Sequence, residues 1–302
     1  MNKMNSIKAI KQYRADLRGQ SGSGNKSKSW LNSHTVYDKN GNILLQETFY
    51  PNGSVNEIIA NDYDANGRLI QEKCQFGDED HIEKRNFYRN EEGVIVREIK
   101  YFAEDTFDTI TYHYNDQQQL VSKKTINDEQ ETEEETRFEY MNGLLLRAAT
   151  FDGDGELLKE ENFEWDDAGR QTTVKTVNTL TGEDFAIRTT YDQSGRKLSE
   201  TREDDEGNPV QQLFYTYTDQ GNLLSILTEE NGKNAVMVYE YDASGNLIKQ
   251  EETDEAGNVL ILVKREFDEH NNPLSTEVFI DGQGLSPSSH YVTRFEYEFF
   301  EN

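Results

Sequence analysis

Three acids spaced by two, in Asp152-Gly153-Asp154-Gly155-Glu156, are the residues of this chain whose types and spacing come nearest to a metal site. A calcium loop opens on acids at alternate positions, because the ion collects hard oxygen ligands around a tight turn, and it closes on a bidentate acid at its last position. Phe163 stands at that last position here. Asp152, Asp154 and Glu156 are therefore a calcium candidate that reads more simply as a glycine-rich turn in an acidic chain. The histidines, His34, His81, His113, His270 and His290, are scattered, with no second His or Cys at ligand spacing. Cys74 is alone, so there is no disulfide framework, and a reducing compartment is compatible. Ser286, Ser288, Ser289 and His290 share a segment that has no nucleophile elbow. Neither a phosphate loop nor a dinucleotide fingerprint occurs. The expectation is a protein with no catalytic residue, no cofactor and no metal, and so not an enzyme.

What must position these residues is a repeat. Its clearest copy is Tyr239-Glu240-Tyr241-Asp242-Ala243-Ser244-Gly245-Asn246-Leu247. Aromatics two apart share one face of a β-strand. Asp-x-x-Gly then reads as a type I turn, in which Asp caps its own backbone and Gly takes the positive φ of the closing bulge. Anchor aromatics recur at Tyr37, Tyr63, Tyr88, Tyr114, Tyr140, Trp165, Tyr191, Tyr217, Tyr241 and Phe267, spaced by 24 to 26 residues. Phe295 and Tyr297 repeat the pair once more near the C-terminus. The turn glycines that follow include Gly41, Gly67, Gly169, Gly195, Gly221 and Gly245. A second turn falls midway in each period, as in Pro51-Asn52-Gly53 and Asp204-Asp205-Glu206-Gly207. A fixed period over many copies outranks local propensity. The unit is a β-hairpin, and the copies in series make an all-β chain of antiparallel neighbours. A sheet of that many strands is expected to curl, so the predicted fold is tandem hairpins of about 26 residues forming a curled antiparallel sheet or β-solenoid. Hydrophobic residues make up only 34% and charged residues 29%, which suits the thin core of a repeat protein.

Tyr-Asp-x-x-Gly-[Asn/Arg]-[Leu/Ile], as in Tyr63–Leu69 and Tyr241–Leu247, resembles the YD repeat of the Rhs (rearrangement hot spot) and teneurin proteins over residues 34 to about 297. The resemblance implies a spiralling β-sheet, which in long members closes into a shell around a toxin domain. This chain is expected to be a short member without a toxin domain. It is too short to enclose one and shows no Asp-Pro-x-Gly-Leu self-cleavage motif. Short copies such as Tyr50-Pro51-Asn52-Gly53-Ser54 also resemble the repeats of a MORN-like antitoxin group.

Residues 1–33 differ from the rest. They hold seven Lys/Arg and one acid, whereas the whole chain carries −27, so residues 34–302 carry −33. Met4, Ile7, Ile10, Tyr13 and Leu17 fall at spacings of three and four, which predicts a short amphipathic helix with a basic polar face, followed by a Gly/Ser linker over 19–25. Ile7, Ile10, Lys11, Arg14 and Leu17 are the candidate partner-binding residues. The helix either caps the first strand's edge or docks a partner. No secretory signal is evident, so a cytoplasmic protein is expected, with export by a signal-independent route as an option. The domains read as 1–33, helix and linker, and 34–302, the repeat array of about ten units. The acidic array disfavours nucleic acid and anionic membrane, and favours a protein partner with a basic surface. The leading expectation is a non-enzymatic interaction protein, cargo or accessory of a bacterial secretion or injection system. The alternatives are an immunity-type protein that occupies a basic toxin, and a carbohydrate-binding surface protein that would use exposed aromatics.

Overall fold

A computed structural model describes residues 7–17, 28–77, 81–102, 105–282 and 287–301. Every regular element is a strand: β1 (Ile7–Asp16), β2 (Trp30–Tyr37), β3 (Ile43–Phe49), β4 (Val55–Tyr63), β5 (Leu69–Phe76), β6 (Ile82–Arg89), β7 (Ile95–Tyr101), β8 (Phe107–Tyr114), β9 (Leu120–Ile126), β10 (Thr132–Met141) and β11 (Leu144–Asp152). The series continues with β12 (Leu157–Trp165), β13 (Gln171–Asn178), β14 (Glu183–Tyr191), β15 (Lys197–Glu203), β16 (Pro209–Tyr217), β17 (Leu223–Glu230), β18 (Lys233–Tyr241), β19 (Leu247–Asp254), β20 (Val259–Phe267), β21 (Pro273–Ile280) and β22 (Ser289–Phe299). Two compact units divide the chain, Met1–Phe87 with Met237–Asn302, and Tyr88–Val236.

In the first unit, β2 to β6 pair in chain order, and so do β19 to β22. β1 lies antiparallel between β2 and β22. In the second unit, β7 to β17 pair in chain order, each antiparallel to the next.

Two expectations are corrected here. Residues 7–16 form a strand, and no helix occurs among the described residues. The open curl or solenoid is overturned as well: within the first unit β1 pairs on both sides, with β2 and with β22, so the first and last repeat strands are joined through it rather than left as open edges. The physical reason is the same for both. The hairpin array ends in two strands with unpaired N–H and C=O groups, and one extended segment between them satisfies both edges. A helix would satisfy neither. Met4 and the linker over 19–25 lie outside the described residues.

The turns follow the reading from sequence. At Asp64–Arg68 the Gly67 amide bonds the Asp64 carbonyl at 2.9 Å, and the Asp64 amide bonds the Arg68 carbonyl at 2.9 Å. Gly67 has φ +75°, and the register slips by one between Asp62 and Tyr63. That is a type I turn closed by a glycine bulge. Asn142 and Gly143, both at positive φ, instead make a two-residue mirror-image turn after Met141. One anchor is displaced from its expected place. The third turn runs from Asn90 to Gly93, whose amide bonds the Asn90 carbonyl at 3.0 Å, so Arg89 holds the anchor position. Tyr88 faces the other way, 37% exposed, with the Arg97 guanidinium 4.2 Å from its ring centre.

The core is thin. The buried apolar residues are Ala9, Ala15, Ala148, Ala149 and Ala186, and no large side chain is fully buried among the described residues. Backbone ladders and cross-strand pairs thus hold the sheet more than packed volume does.

Candidate functional site

The candidate partner-binding residues sit on β1 or just after it. Ile7 is opposite Phe299, and Ile10 is opposite Thr35 on one side and Tyr297 on the other. Lys11 lies between His34 and Glu296, and its Nζ donates to Glu298 Oε1 at 2.7 Å. Hydrogen bonding to Glu298, then its charge, raises the Lys11 pKa; the same bond lowers that of Glu298. Arg14 places its guanidinium 3.7 Å from the Tyr291 ring centre and 5.8 Å from that of Trp30, a cation over π-faces, and its Nε donates to Asp16 at 3.1 Å. The Leu17 amide donates to the His290 carbonyl at 2.8 Å. The structure brings these five residues together, with Glu298, Tyr291 and Trp30 around them. Those three escaped the reading from sequence. The signal that could have found them is their place in the strands that flank the array's two ends, one of them an acid able to meet a basic segment.

The repeat aromatics form the second constellation. Tyr63 donates its hydroxyl to the Ile43 carbonyl at 2.8 Å, Tyr140 to Leu120 at 3.0 Å, Tyr191 to Gln171 at 2.7 Å and Tyr217 to Lys197 at 2.8 Å. Tyr114 bonds Ile95, Tyr297 bonds Pro273, and Trp165 Nε1 donates to Leu145 at 2.7 Å. For the tyrosines the acceptor is the first residue of the strand after the preceding Asp- or Asn-initiated turn, whereas for Trp165 it is the second residue of β11, just after the Asn142-Gly143 turn. Each anchor therefore fastens its own hairpin to the turn before it, a nearest-neighbour coupling between repeats. Tyr37 and Tyr241 end β2 and β18 at the equivalent positions. Burial raises the phenol pKa of Tyr63 and Tyr140 and pushes Tyr297 up to about 12.

Turn aspartates complete the pattern. Asp242 Oδ1 accepts from the Ser244 and Asn246 amides, each at 2.9 Å, while Oδ2 accepts from Asn246 Nδ2. Asp192 does the same with the Ser194 and Arg196 amides and pairs with Arg196 Nε at 2.7 Å. Arg196 then lies 4.7 Å from the centre of the next anchor ring, Tyr217. These hydrogen bonds hold the carboxyls below their ordinary pKa. The Asn246 side chain is the leading cause at Asp242, and the Arg196 amide at Asp192. Gly41, Gly67, Gly169, Gly195, Gly221 and Gly245 all have positive φ.

Asp152 has the same role. Its Oδ1 accepts from the Asp154 amide at 3.0 Å and from the Glu156 amide at 2.8 Å. Gly153 has a separate reason to be glycine, since a Cβ there would run into the Thr132 carbonyl oxygen. Among the described residues no three His, Cys, Asp or Glu side chains gather as a metal site would require. His34 pairs with Glu47 at 2.9 Å, and His290 with Glu277 at 2.8 Å. Cys74 bonds Glu57, and burial, then the charge of Glu57, pushes its thiol up to about 11, so it is a poor nucleophile. No helix among the described residues is long and apolar enough to cross a membrane.

The model of the teneurin YD-shell family matches residues 3–265. Among solved structures, a porin-like protein from Bacteroides uniformis is 9% identical at a TM-score of 0.36, over 98% of this chain and 99% of that one. The TcdB2-TccC3 structure is 12% identical at a TM-score of 0.33, over 90% of this chain, which spans only 20% of that protein. Both likenesses are too distant to carry an argument about function. No curated protein matches the chain.

Proposed function

The chain belongs to the teneurin YD-shell family, and from that premise we propose that this YD-repeat scaffold acts by binding a protein partner of basic surface, without catalysis. The observation that carries the reading is charge. Residues 34–302 hold 57 acids against 24 bases, so the array remains strongly negative after its own ion pairs are formed. Such a field speeds encounter with a basic partner and repels nucleic acid and anionic lipid. No metal or cofactor enters this reading. Its setting is the bacterial cytoplasm, with the chain acting as cargo or accessory of a secretion or injection system.

A second reading, an immunity-type protein that covers a basic toxin, rests on the same excess of acid. Carbohydrate binding is less favoured. The anchor hydroxyls of Tyr63, Tyr140, Tyr191 and Tyr217 are already given to backbone carbonyls.

The test is affinity purification of the tagged chain from its native cell, followed by titration of the purified partner at several salt concentrations. The proposal expects a partner of net positive charge whose Kd weakens steeply with salt. An acidic partner, or affinity indifferent to salt, would contradict it. Toxicity of that partner in cells lacking this chain would select the immunity reading over the secretion reading.

A further inference from the structure

We propose that the slot between β2 and β22 is a binding site for a basic extended segment, and that it accepts β1 from a second copy of this chain as well as its own. Three observations carry this. The first is backbone geometry. β1 is bonded along its length on both sides, from Ala9↔Val36 to Arg14↔Trp30 and from Ile7↔Phe299 to Asp16↔Tyr291. A segment that leaves the slot exposes two edges, which another copy of the same sequence completes in the same register.

Chemistry is the second. Across β1 the sheet presents Glu298 to Lys11 at 2.7 Å, and the Tyr291 and Trp30 rings to Arg14. Ala9 and Ala15, 3% and 8% exposed, are buried in the slot. The slot thus offers charge, aromatic stacking and apolar cover at defined positions, as a peptide site does.

Connection is the third observation. The other connections between consecutive strands are shorter, from the two residues Asn142-Gly143 through turns such as Asp242–Asn246 to the eight residues 281–288. Between the end of β1 and the start of β2 lie residues 17–29, with glycines at 19, 22 and 24. At about 3.3–3.6 Å per extended residue this connection spans up to roughly 45 Å. It is long enough to deliver β1 to a neighbouring copy. Reciprocal exchange loses no contact within the slot, since each is re-formed between copies.

The experiment uses the full chain with Cys74→Ser as background. One tagged copy carries Lys11→Cys and a differently tagged copy carries Glu296→Cys, positions that face each other across β1 and β22. A third protein carries both substitutions, to report folding and register through an internal crosslink. The two single variants are mixed, incubated at high concentration and oxidised. We expect a disulfide joining the two tags, in a yield that rises with incubation time and concentration and falls when excess Cys74→Ser protein competes. An internal crosslink in the double variant with no joined tags in the mixture would overturn the proposal. So would failure of the internal crosslink, because the register on which the slot rests would then be wrong.

Discussion

Tyr63 gives its phenolic hydrogen to the carbonyl of Ile43, 2.8 Å away and 20 residues earlier in the chain. The same bond recurs from Tyr191 to Gln171 and from Tyr217 to Lys197, each again 20 residues back. The aromatic of the YD motif is therefore a tie between successive hairpins as well as apolar cover. Removing the hydroxyl deletes one hydrogen bond and leaves the Ile43 carbonyl with Asn61 Nδ2, at 3.0 Å, as its remaining donor. Tyr63→Phe should destabilise by about 1 kcal/mol, read by thermal unfolding. Tyr88→Phe, at a position facing away from the anchors, should leave the midpoint unchanged. Equal shifts would remove the distinction between anchor and surface tyrosine.

Where a turn closes on glycine, the backbone angle rather than space favours it. Gly245 has φ +87° and open room around its Cβ position, so Gly245→Val should cost about 1–3 kcal/mol through strain alone. Gln118 occupies the same conformation, at φ 59°, with a side chain that disfavours it. Gln118→Gly should be neutral or stabilising by up to about 1 kcal/mol. A Gln118→Gly chain that melts well below the parent would contradict this.

Gly153 separates the calcium reading from the turn reading. Its Cβ would meet the Thr132 carbonyl, so Gly153→Ala should lower the unfolding midpoint with or without calcium. Calorimetry should show no stoichiometric calcium site, only diffuse charge relief shared by any divalent ion. One tight site that disappears in Asp154→Ala would restore the metal at Asp152, Asp154 and Glu156.

Acid should loosen the turn at Asp242. The Asp242 carboxyl lies below its ordinary 3.8 in the folded chain because Asn246 bonds the charged form. A depressed carboxyl contributes its stability above the unfolded pKa, and that contribution fades as pH falls from about 3.8 through the folded value. Asp242→Asn keeps an acceptor for the Ser244 and Asn246 amides but cannot titrate. The midpoint difference between Asp242→Asn and the parent should be constant above about pH 5 and shrink below 3.8. Comparison at each pH cancels the charge relief that both proteins share. A difference that stays flat to pH 2 would contradict the assignment.

The repeat was legible because its signals are local. Asp-x-x-Gly fixes a turn by its own hydrogen bonds, and Tyr239 and Tyr241 share a face by alternation alone. The third copy misled, since Tyr88 has the right residue type while the turn begins at Asn90, which leaves Arg89 at the anchor position. The N-terminal segment misled for a different reason. Met4, Ile7, Ile10 and Leu17 fit a helical stripe, but Ala9, Lys11, Tyr13 and Ala15 fit an alternating strand equally well. What decided between them is remote in sequence, the edges of β2 and β22, and two long backbone ladders outweigh a weak helical preference. Glu298 and Tyr291, which hold Lys11 and Arg14, lie more than 270 residues away from them in the chain. No spacing rule reaches that far.

Residues 7–16 are the strand that joins β2 to β22. Amide hydrogen exchange on the intact chain tests it directly. Bonded on both sides, the amides from Ala9 to Arg14 should exchange as slowly as those of β2 and β22, and at the same rate as one another within a few-fold. Exchange of that segment at the rate of free peptide, with β2 and β22 each protected on one side only, would contradict the placement of β1 between them.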